Sequence, residues 1–359
     1  MIQGFKYVEF FVGNAKQASH YYRSIFGFEG YAYSGPETGN SESVSYVLKQ
    51  NKIFFVFTTP LNTKKKISKI IEKHGDTVYD VAFNSNDLDG DLENALKNGA
   101  LLNKDIQELT DKGGCLRYAS IKTYGDTIHT LVDDSSYKGL WKPGYERYNP
   151  PPLNIQDPNL IKIDHIVGNV EDNRMDKWIK YYENIFDFQT FIEFTEDDIA
   201  TKYSALRSKV VKSQNSNIKL PINEPAEGLK KSQIQEYLDS NDGPGVQHIA
   251  LLTTDIIKAI HSLRKNGMEF LDVPDSYYDE LKNRVGNIDE DVERLKKLKI
   301  LVDRDSDGYL LQLFTKPLED RPTLFIEIIQ RKGSNGFGKG NFMALFKSIE
   351  AEQAKRGNL

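Results

Sequence analysis

Hydrophobic and polar residues alternate in short runs along this chain, and these runs predict β-strands. Four clear runs lie in the second half of the sequence, at residues 161–167, 246–251, 308–314 and 323–329. Alternation places every second side chain on the same face of a strand, so each run can turn one apolar face towards a core. The pattern therefore predicts β-sheets.

Between these runs, apolar residues recur at helical spacing, which predicts amphipathic helices. The residues of one such stretch are Met175, Trp178, Tyr182, Ile185 and Phe186. A second stretch begins after Asp255, a capping residue, and ends at Gly267. The order of strand, helix and then further strands predicts an α+β fold of βαβββ modules.

The same pattern occurs twice in the chain. The matched segments are 7–15 (YVEFFVGNA) with 162–170 (KIDHIVGNV), 75–83 (GDTVYDVAF) with 243–251 (GPGVQHIAL), and more weakly 128–131 with 326–329. Three matches in the same order predict two related halves, each of paired βαβββ modules. The prolines at 150–152 disfavour a helix at the join, so we expect one half at 1–150 and the other at 151–359.

Composition restricts the partners and the compartment. The chain has 359 residues, a net charge of −5 and a single cysteine, Cys115, so no internal disulfide or thiolate metal cluster can form. A reducing compartment, the cytoplasm, is expected. No run approaches the roughly 20 apolar residues of a membrane span, and residues 1–6 lack the features of a signal peptide. The acidic balance argues against nucleic acid as a partner.

Two histidines and one glutamate form the strongest candidate for chemistry. His165 and His248 lie in the middle of predicted strands at corresponding places in the repeat, and Glu327 lies between Phe325 and Ile329. A carboxylate on the apolar face of a strand is costly unless it is paired or bound to a metal. Two imidazoles and one carboxylate that leave positions open are the ligand set of non-haem Fe(II) oxygenases.

The first half shows that the fold does not require histidine at these positions. Phe10 stands opposite His165 in the repeat, and Asp80 stands opposite His248. With His129, these residues cannot make the same ligand set. We therefore predict one metal ion per chain, in the second half. For either histidine considered alone, the simpler interpretation is a buried core residue whose ring nitrogens are hydrogen-bonded within the protein.

The second half resembles the 4-hydroxyphenylpyruvate dioxygenase family of the vicinal-oxygen-chelate (glyoxalase-like) superfamily, closest to animal-type members. The segments that carry the resemblance are 164–170, 221–226, 231–237, 245–250, 308–317, 321–327, 336–342 and 356–359. The likeness extends more loosely over the first half, which is expected to be non-catalytic.

This resemblance implies that His165, His248 and Glu327 bind Fe(II). It implies that 4-hydroxyphenylpyruvate and O2 are converted to homogentisate and CO2, in tyrosine and phenylalanine catabolism. No external 2-oxoglutarate is needed, because the substrate carries its own α-keto acid. Relatives of this kind also suggest a homodimer.

The resemblance further implies the residues that bind the substrate. Polar contacts are expected from Ser208, Asn223, Gln233 and Gln312, the last three with catalytic roles, and a wall from Pro221, Phe314, Phe325, Phe337 and Phe342. For each phenylalanine alone, core packing is the simpler interpretation. Alternation aims Gln247 away from His248, so it is excluded from the site. Lys209, where animal-type relatives tend to have an apolar residue, is expected to point outward.

A helix is predicted at about residues 341–355. Phe342, Leu345, Phe346 and Ile349 mark one apolar face of it, and glycines precede it. These glycines lack the spacing of a nucleotide loop. The family resemblance and the apolar face together predict a lid over the metal site.

Three other functions remain open from the sequence. Hydroxymandelate synthase uses the same substrate and ligand set but hydroxylates the benzylic carbon, although 221–223 match the dioxygenase pattern. A non-catalytic binding module is possible because fold does not determine function, but it leaves the three ligands unexplained. A glyoxalase-like isomerase or lyase would work without oxygen.

Overall fold

The computed structural model describes residues 2–195 and 205–358. Leu359, the last residue of the C-terminal motif, lies outside this part of the chain. The strands of the first half are β1 (Ile2–Phe11), β2 (Glu29–Ser34), β3 (Ser43–Gln50), β4 (Ile53–Pro60), β5 (Thr77–Ser85), β6 (Leu102–Asp111), β7 (Gly114–Lys122), β8 (Ile128–Asp133) and β9 (Glu146–Arg147). Its helices are α1 (Ala15–Phe26), α2 (Lys66–His74) and α3 (Leu88–Lys97).

The second half repeats this order and then extends it. Its strands are β10 (Leu160–Asn169), β11 (Gln189–Phe194), β12 (Ala205–Lys212), β13 (Lys219–Ala226), β14 (Gly245–Thr253), β15 (Leu301–Arg304), β16 (Tyr309–Phe314) and β17 (Phe325–Lys332). Its helices are α4 (Met175–Phe186), α5 (Gln233–Asn241), α6 (Ile256–Lys265), α7 (Ser276–Asp279), α8 (Leu281–Val285), α9 (Val292–Leu298) and α10 (Phe342–Lys355). The short helices α7 to α9 fill the connection between α6 and β15.

Each half forms one mixed, curled β-sheet. The order in the first sheet is β6-β7-β8-β5-β1-β4-β3-β2-β9, and in the second it is β11-β12-β13-β10-β14-β17-β16-β15. In both sheets the leading strands of the two βαβββ modules pair antiparallel at the centre, β1 with β5 and β10 with β14. The predicted α+β fold of two related halves with a C-terminal helix is confirmed.

The helices begin and end where their caps predict. Asp255 Oδ1 accepts a hydrogen bond of 2.9 Å from the amide of Lys258 at the start of α6, and Gly267 follows its end with φ of 104°. At the end of α4, Asp187 adopts the left-handed conformation and closes the helix. Among the described residues, no helix combines the length and apolar character needed to cross a bilayer.

The two sheets pack against a common core. Phe83 and Tyr124 from the first half belong to the same buried apolar cluster as Tyr182 of α4. Polar contacts also join the halves: Asn266 Nδ2 donates to the carbonyl oxygen of Ile25 at 3.0 Å. Burial of apolar side chains from both halves therefore holds the second sheet, which carries the candidate site, against the first.

Candidate metal centre and substrate cavity

Three neighbouring strands bring the candidate ligands together. His165 lies on β10, His248 on β14 and Glu327 on β17, and β14 stands between the other two strands. Glu327 Oε2 lies 3.1 Å from His165 Nε2 and 3.4 Å from His248 Nε2. The donor atoms of all three residues lie within 4.8 Å of one another. Two imidazole nitrogens and a carboxylate oxygen therefore converge on one point.

Glu327 and the two histidines are buried, and each affects the pKa of the others. Burial opposes ionisation of Glu327, but the two imidazoles outweigh it and lower the pKa of this carboxyl to about 2. Burial also disfavours a charged imidazole at His165, yet Glu327 and Asp164 raise its pKa. At His248, burial prevails and lowers the pKa. The cluster thus combines an ionised carboxylate with two imidazoles whose proton affinities differ.

A second hydrogen bond orients each imidazole. His165 Nδ1 lies 2.8 Å from Asp164 Oδ2, and His248 Nδ1 lies 3.0 Å from Gln247 Oε1. If each Nδ1 donates its proton to these oxygens, both Nε2 lone pairs are available to a metal ion bound beside Glu327. Histidine ligands of metals are usually held in this way.

The exclusion of Gln247 from the site is therefore wrong. Its amide touches His248 and lines the cavity beside the ligands. In the pairing of β10 with β14, Val167 faces His248 and Gly168 faces Val246, so Gln247 is the extra residue of a bulge. Bulges interrupt alternation, and the side chains of neighbouring residues can then reach the same site. Asp164 is likewise an extra residue on β10, because Ile163 pairs with Leu251 and His165 pairs with the adjacent Ala250.

The residues of this cluster fit a metal ion. The set offers three donor atoms and leaves one side vacant. Among the described residues, the ion pairs of Glu327 are with the two histidines and not with a lysine or arginine. In the part of the chain that the structure describes, no other group of three or more His, Cys, Asp or Glu side chains is close enough to share a metal ion. The centre is thus suited to a transition metal with two nitrogen ligands and one oxygen ligand.

The corresponding positions of the first half serve other purposes. Phe10 stacks on Phe57 within the core, at 4.8 Å between ring centroids. Asp80 accepts hydrogen bonds from Thr130 Oγ1 at 2.6 Å and from Tyr7 at 3.1 Å. His129 binds the carbonyl oxygen of Val81 and the hydroxyl of Tyr182. These side chains are fully engaged without an ion.

A cavity opens beside the three ligands, and all three of them line it. The structure places most of the sequence-predicted substrate residues in its wall: Ser208, Pro221, Asn223, Gln233, Phe314, Phe325, Phe337 and Phe342. Phe325 stacks on the His248 ring at 4.7 Å, and Phe337 meets the His165 ring edge-on at 4.9 Å. The wall is thus aromatic on the side of the metal ligands.

Gln312 occupies a different position. It is buried on β16 but does not line the cavity. Its amide lies under Gly338, where a Cβ would come within 2.6 Å of Gln312 Nε2, and Gly338 has φ of 76°. Within the described residues, Gln312 Oε1 has no hydrogen-bond partner. The turn before α10 therefore packs directly on this amide.

Ser208 and Lys209 point to opposite sides of β12, as alternation predicts. Ser208 lines the cavity. Lys209 Nζ forms ion pairs with Asp176 at 2.7 Å and Glu193 at 3.0 Å, away from it. The expected outward orientation of Lys209 is correct, so its charge does not enter the site.

Two apolar residues of the wall were not predicted from the sequence. Phe194 on β11 and Leu206 on β12 both line the cavity. Leu206 could have been found, because it stands two positions before Ser208 and so shares its strand face. Phe194 had a weaker signal, since the pairing of β11 with β12 could not be derived from spacing alone.

Helix α10 covers the cavity. The four residues of the predicted apolar face, Phe342, Leu345, Phe346 and Ile349, all line it. The two ends of the helix are anchored to the second half. Tyr277 donates to Asn341 Oδ1 at 2.6 Å, and Arg356 binds Glu236 through two nitrogens, at 3.1 and 2.7 Å. The helix is therefore in place as a cover between the metal ligands and solvent.

Comparison with known proteins agrees with this geometry. The sequence model of the Glyoxalase/Bleomycin resistance protein/Dioxygenase superfamily matches residues 162–313. The 4-hydroxyphenylpyruvate dioxygenase of Caenorhabditis briggsae is 50% identical, over 99% of this chain and 93% of its own length. The enzyme of that name from Danio rerio is 49% identical, over 99% and 92%. A mutant of 4-hydroxymandelate synthase from Streptomyces coelicolor superposes with a TM-score of 0.88 at 30% identity, covering 98% of this chain and 99% of its own.

Proposed function

This chain belongs to the 4-hydroxyphenylpyruvate dioxygenase family, and we propose that it converts 4-hydroxyphenylpyruvate and O2 to homogentisate and CO2. The observation that carries the proposal is the buried cluster of His165, His248 and Glu327 in the wall of an aromatic cavity. The reaction balances, because one oxygen atom of O2 enters the ring and the other enters the carboxylate that remains after CO2 is lost. The pathway would be tyrosine and phenylalanine catabolism.

We propose that the metal is Fe(II), one ion per chain. The nitrogen and oxygen donors and their vacant side support this choice, since that ligand set is typical of non-haem iron oxygenases. When bound, Fe(II) would supply open positions for the α-keto acid and redox chemistry towards O2. The α-keto acid belongs to the substrate itself, so no external 2-oxoglutarate is required.

The protein's own task in this proposal is to hold the substrate ring beside the ligands. Phe314, Phe325 and Phe337, whose rings lie near the two histidines, would provide the wall beside the metal ligands, and Phe342 and Pro221 would provide further parts of the wall. Ser208, Asn223 and Gln233 are the polar cavity residues available to bind oxygen atoms of the substrate. We propose catalytic roles for Asn223 and Gln233, and their place in the cavity wall supports this. The catalytic role of Gln312 stays a prediction, because Gly338 covers its amide.

Exclusion of water is the second task. The apolar face of α10 would close over the substrate and leave few routes for water to reach the reacting carbon. This exclusion of water would favour reaction at the substrate ring. Residues 151–359 are the catalytic half in this proposal, and residues 1–150 support it without chemistry of their own.

Two further proposals concern the setting of the enzyme. A single cysteine, Cys115, supports a reducing compartment, and we propose the cytoplasm. We also propose a homodimer, on the basis of the family alone. Fractionation of the source cells and light scattering of the purified protein test these two points.

Product analysis is the experiment that tests the function. The purified chain, loaded with Fe(II), is given 4-hydroxyphenylpyruvate, and O2 uptake, CO2 release and aromatic products are measured. We expect equal amounts of O2, CO2 and homogentisate. The similarity to 4-hydroxymandelate synthase makes hydroxymandelate the main competing product, and its formation would change the assignment. Turnover without O2 would indicate an isomerase or lyase instead.

A further inference from the structure

Arg331 makes the most extensive set of polar contacts next to the metal ligands, and the proposed reaction gives it no role. We propose that Arg331 is a positioning residue: through Asp164 it fixes the orientation of His165, and through the turn at 334–337 it fixes Phe337 against the same imidazole. The proposal rests on the proposed metal site but concerns how this chain prepares that site.

The contact with Asp164 is bidentate. Arg331 Nε donates to Asp164 Oδ1 at 2.8 Å, and Nη2 donates to Oδ2 at 2.7 Å. Asp164 Oδ2 is the same atom that lies 2.8 Å from His165 Nδ1. A planar guanidinium with two parallel hydrogen bonds leaves the carboxylate little freedom to rotate. The direction of the Asp164–His165 hydrogen bond is therefore set from Arg331.

The strand geometry explains why an arginine is needed. Asp164 is the bulged residue of β10, so the regular ladder does not fix its side chain. Arg331 lies on β17, and β14 separates that strand from β10. The long arginine side chain thereby connects β17, which carries Glu327, with β10, which carries His165. The side chain of Asp164 is 4% exposed and that of Arg331 13%, so water competes little for this pair.

The remaining nitrogen of Arg331 holds the turn that leads to α10. Nη1 donates to the carbonyl oxygen of Ser334 at 3.1 Å and to that of Gly336 at 2.7 Å. The next residue, Phe337, places its ring 4.9 Å from the ring of His165 and 5.7 Å from the guanidinium carbon. One guanidinium thus contacts both neighbours of the His165 imidazole, the acid on one side and the aromatic wall on the other.

His248 lacks such an arrangement. Its Nδ1 is held by the neutral amide of Gln247, whereas the Nδ1 of His165 is held by a carboxylate with its own arginine. A carboxylate makes an imidazole a stronger donor to a metal than an amide does. The structure therefore predicts that metal affinity depends on Arg331, although this residue reaches the ligand His165 only through Asp164 and Phe337.

A double-mutant cycle on metal affinity tests this proposal. The wild-type chain, Arg331→Met, Asp164→Asn and the double variant are titrated with Co(II), whose visible absorption reports its coordination. We expect each single variant to weaken Co(II) binding by about 10- to 100-fold and to change the spectrum. We expect the losses in the two single variants not to multiply in the double variant, because Arg331 acts mainly through Asp164. The proposal would be overturned if the fold-losses of Co(II) affinity in the two single variants multiply in the double variant. It would also be overturned if Arg331→Met binds Co(II) as tightly as the wild type.

Two controls separate this role from stability and from the proposed function. Arg117 and Asp89 form a bidentate pair in the first half, at 2.8 and 2.9 Å, and the same cycle there is expected to leave Co(II) affinity unchanged. Arg331→Lys keeps the charge but loses the fork, so a loss of affinity in this variant supports the proposal even where Arg331→Met fails to fold. If the wild type binds Co(II) and forms no homogentisate with iron, the proposed function fails while the cycle still decides the role of Arg331.

Discussion

Glu327 Oε2 lies 3.1 Å from His165 Nε2, although the strands that carry the two residues are not neighbours in the sheet. Strand β14 lies between them and contributes His248. The ligand set therefore depends on the pairing of three strands from two βαβββ modules. Neither module alone contains the site.

The first prediction concerns the ligands themselves. Replacing His165, His248 or Glu327 by alanine removes one of three donors, and we expect metal affinity to fall on the order of 100-fold or more and turnover to disappear. Iron content after equilibrium dialysis and the rate of homogentisate formation measure these effects. His20→Ala, which changes an exposed histidine of α1, is the matched control and should keep both. A ligand variant with the full rate would remove that residue from the set.

The second prediction concerns the lid helix. Removing residues 341–359 uncovers the cavity, so we expect turnover to be lost while iron binding stays measurable, because the three ligands lie on strands. Phe346→Ala opens the same face more gently and should reduce the yield of homogentisate per O2 consumed. Met343→Ala, on the exposed side of the helix, is the control. Normal turnover in the truncated chain would contradict the lid.

The third prediction concerns Lys209. Its ammonium group pairs with Asp176 and Glu193 outside the cavity, so Lys209→Met should leave kcat and KM within about twofold of the wild type. Ser208→Ala on the adjacent position faces the cavity and should raise KM. The two variants are compared in the same steady-state assay. A larger effect of Lys209→Met on KM would mean that its side chain enters the site.

The fourth prediction concerns pH and the first half of the chain. Burial lowers the pKa of His129 to about 4, below the value of about 6.5 for an unfolded histidine. Between these values the unfolded chain binds a proton that the folded chain does not, so this residue destabilises the fold as the pH falls from about 6.5 to 4. The loss is on the order of 3 kcal/mol at the acidic end.

Urea unfolding of the metal-free protein across this pH range measures the effect. His129→Gln lowers stability at neutral pH, because the contacts with Val81 and Tyr182 change, but it should flatten the fall towards acid. His20→Gln serves as the control for an exposed histidine. An equally steep fall in His129→Gln would show that other groups cause it.

Local patterns predicted much of the fold. The alternating runs correspond to β10, β14, β16 and β17, and the helical spacing to α4 and α6. The repeat predicted the two sheets, because matched segments such as 7–15 and 162–170 occupy the same central place in each. Strand faces follow from alternation as long as the ladder is regular, which is why Ser208 and Lys209 were oriented correctly.

The remainder depended on irregular backbone and on contacts between distant segments. Gln247 and Asp164 are bulge residues, and a bulge cannot be derived from alternation. Arg331 lies on the same strand as Glu327. Its contact with Asp164 joins segments that are far apart in the sequence, so only the folded structure shows it. The position of Gln312 depends on the turn at Gly338, whose course is likewise a tertiary property.

The central claim is that His165, His248 and Glu327 hold one metal ion together. Crystals grown anaerobically with Fe(II), and measured on both sides of the iron absorption edge, test it most directly. We predict one anomalous peak per chain, within bonding distance of the two Nε2 atoms and of Glu327 Oε2. Iron density elsewhere, or its absence between these three side chains at saturating Fe(II), would contradict the claim.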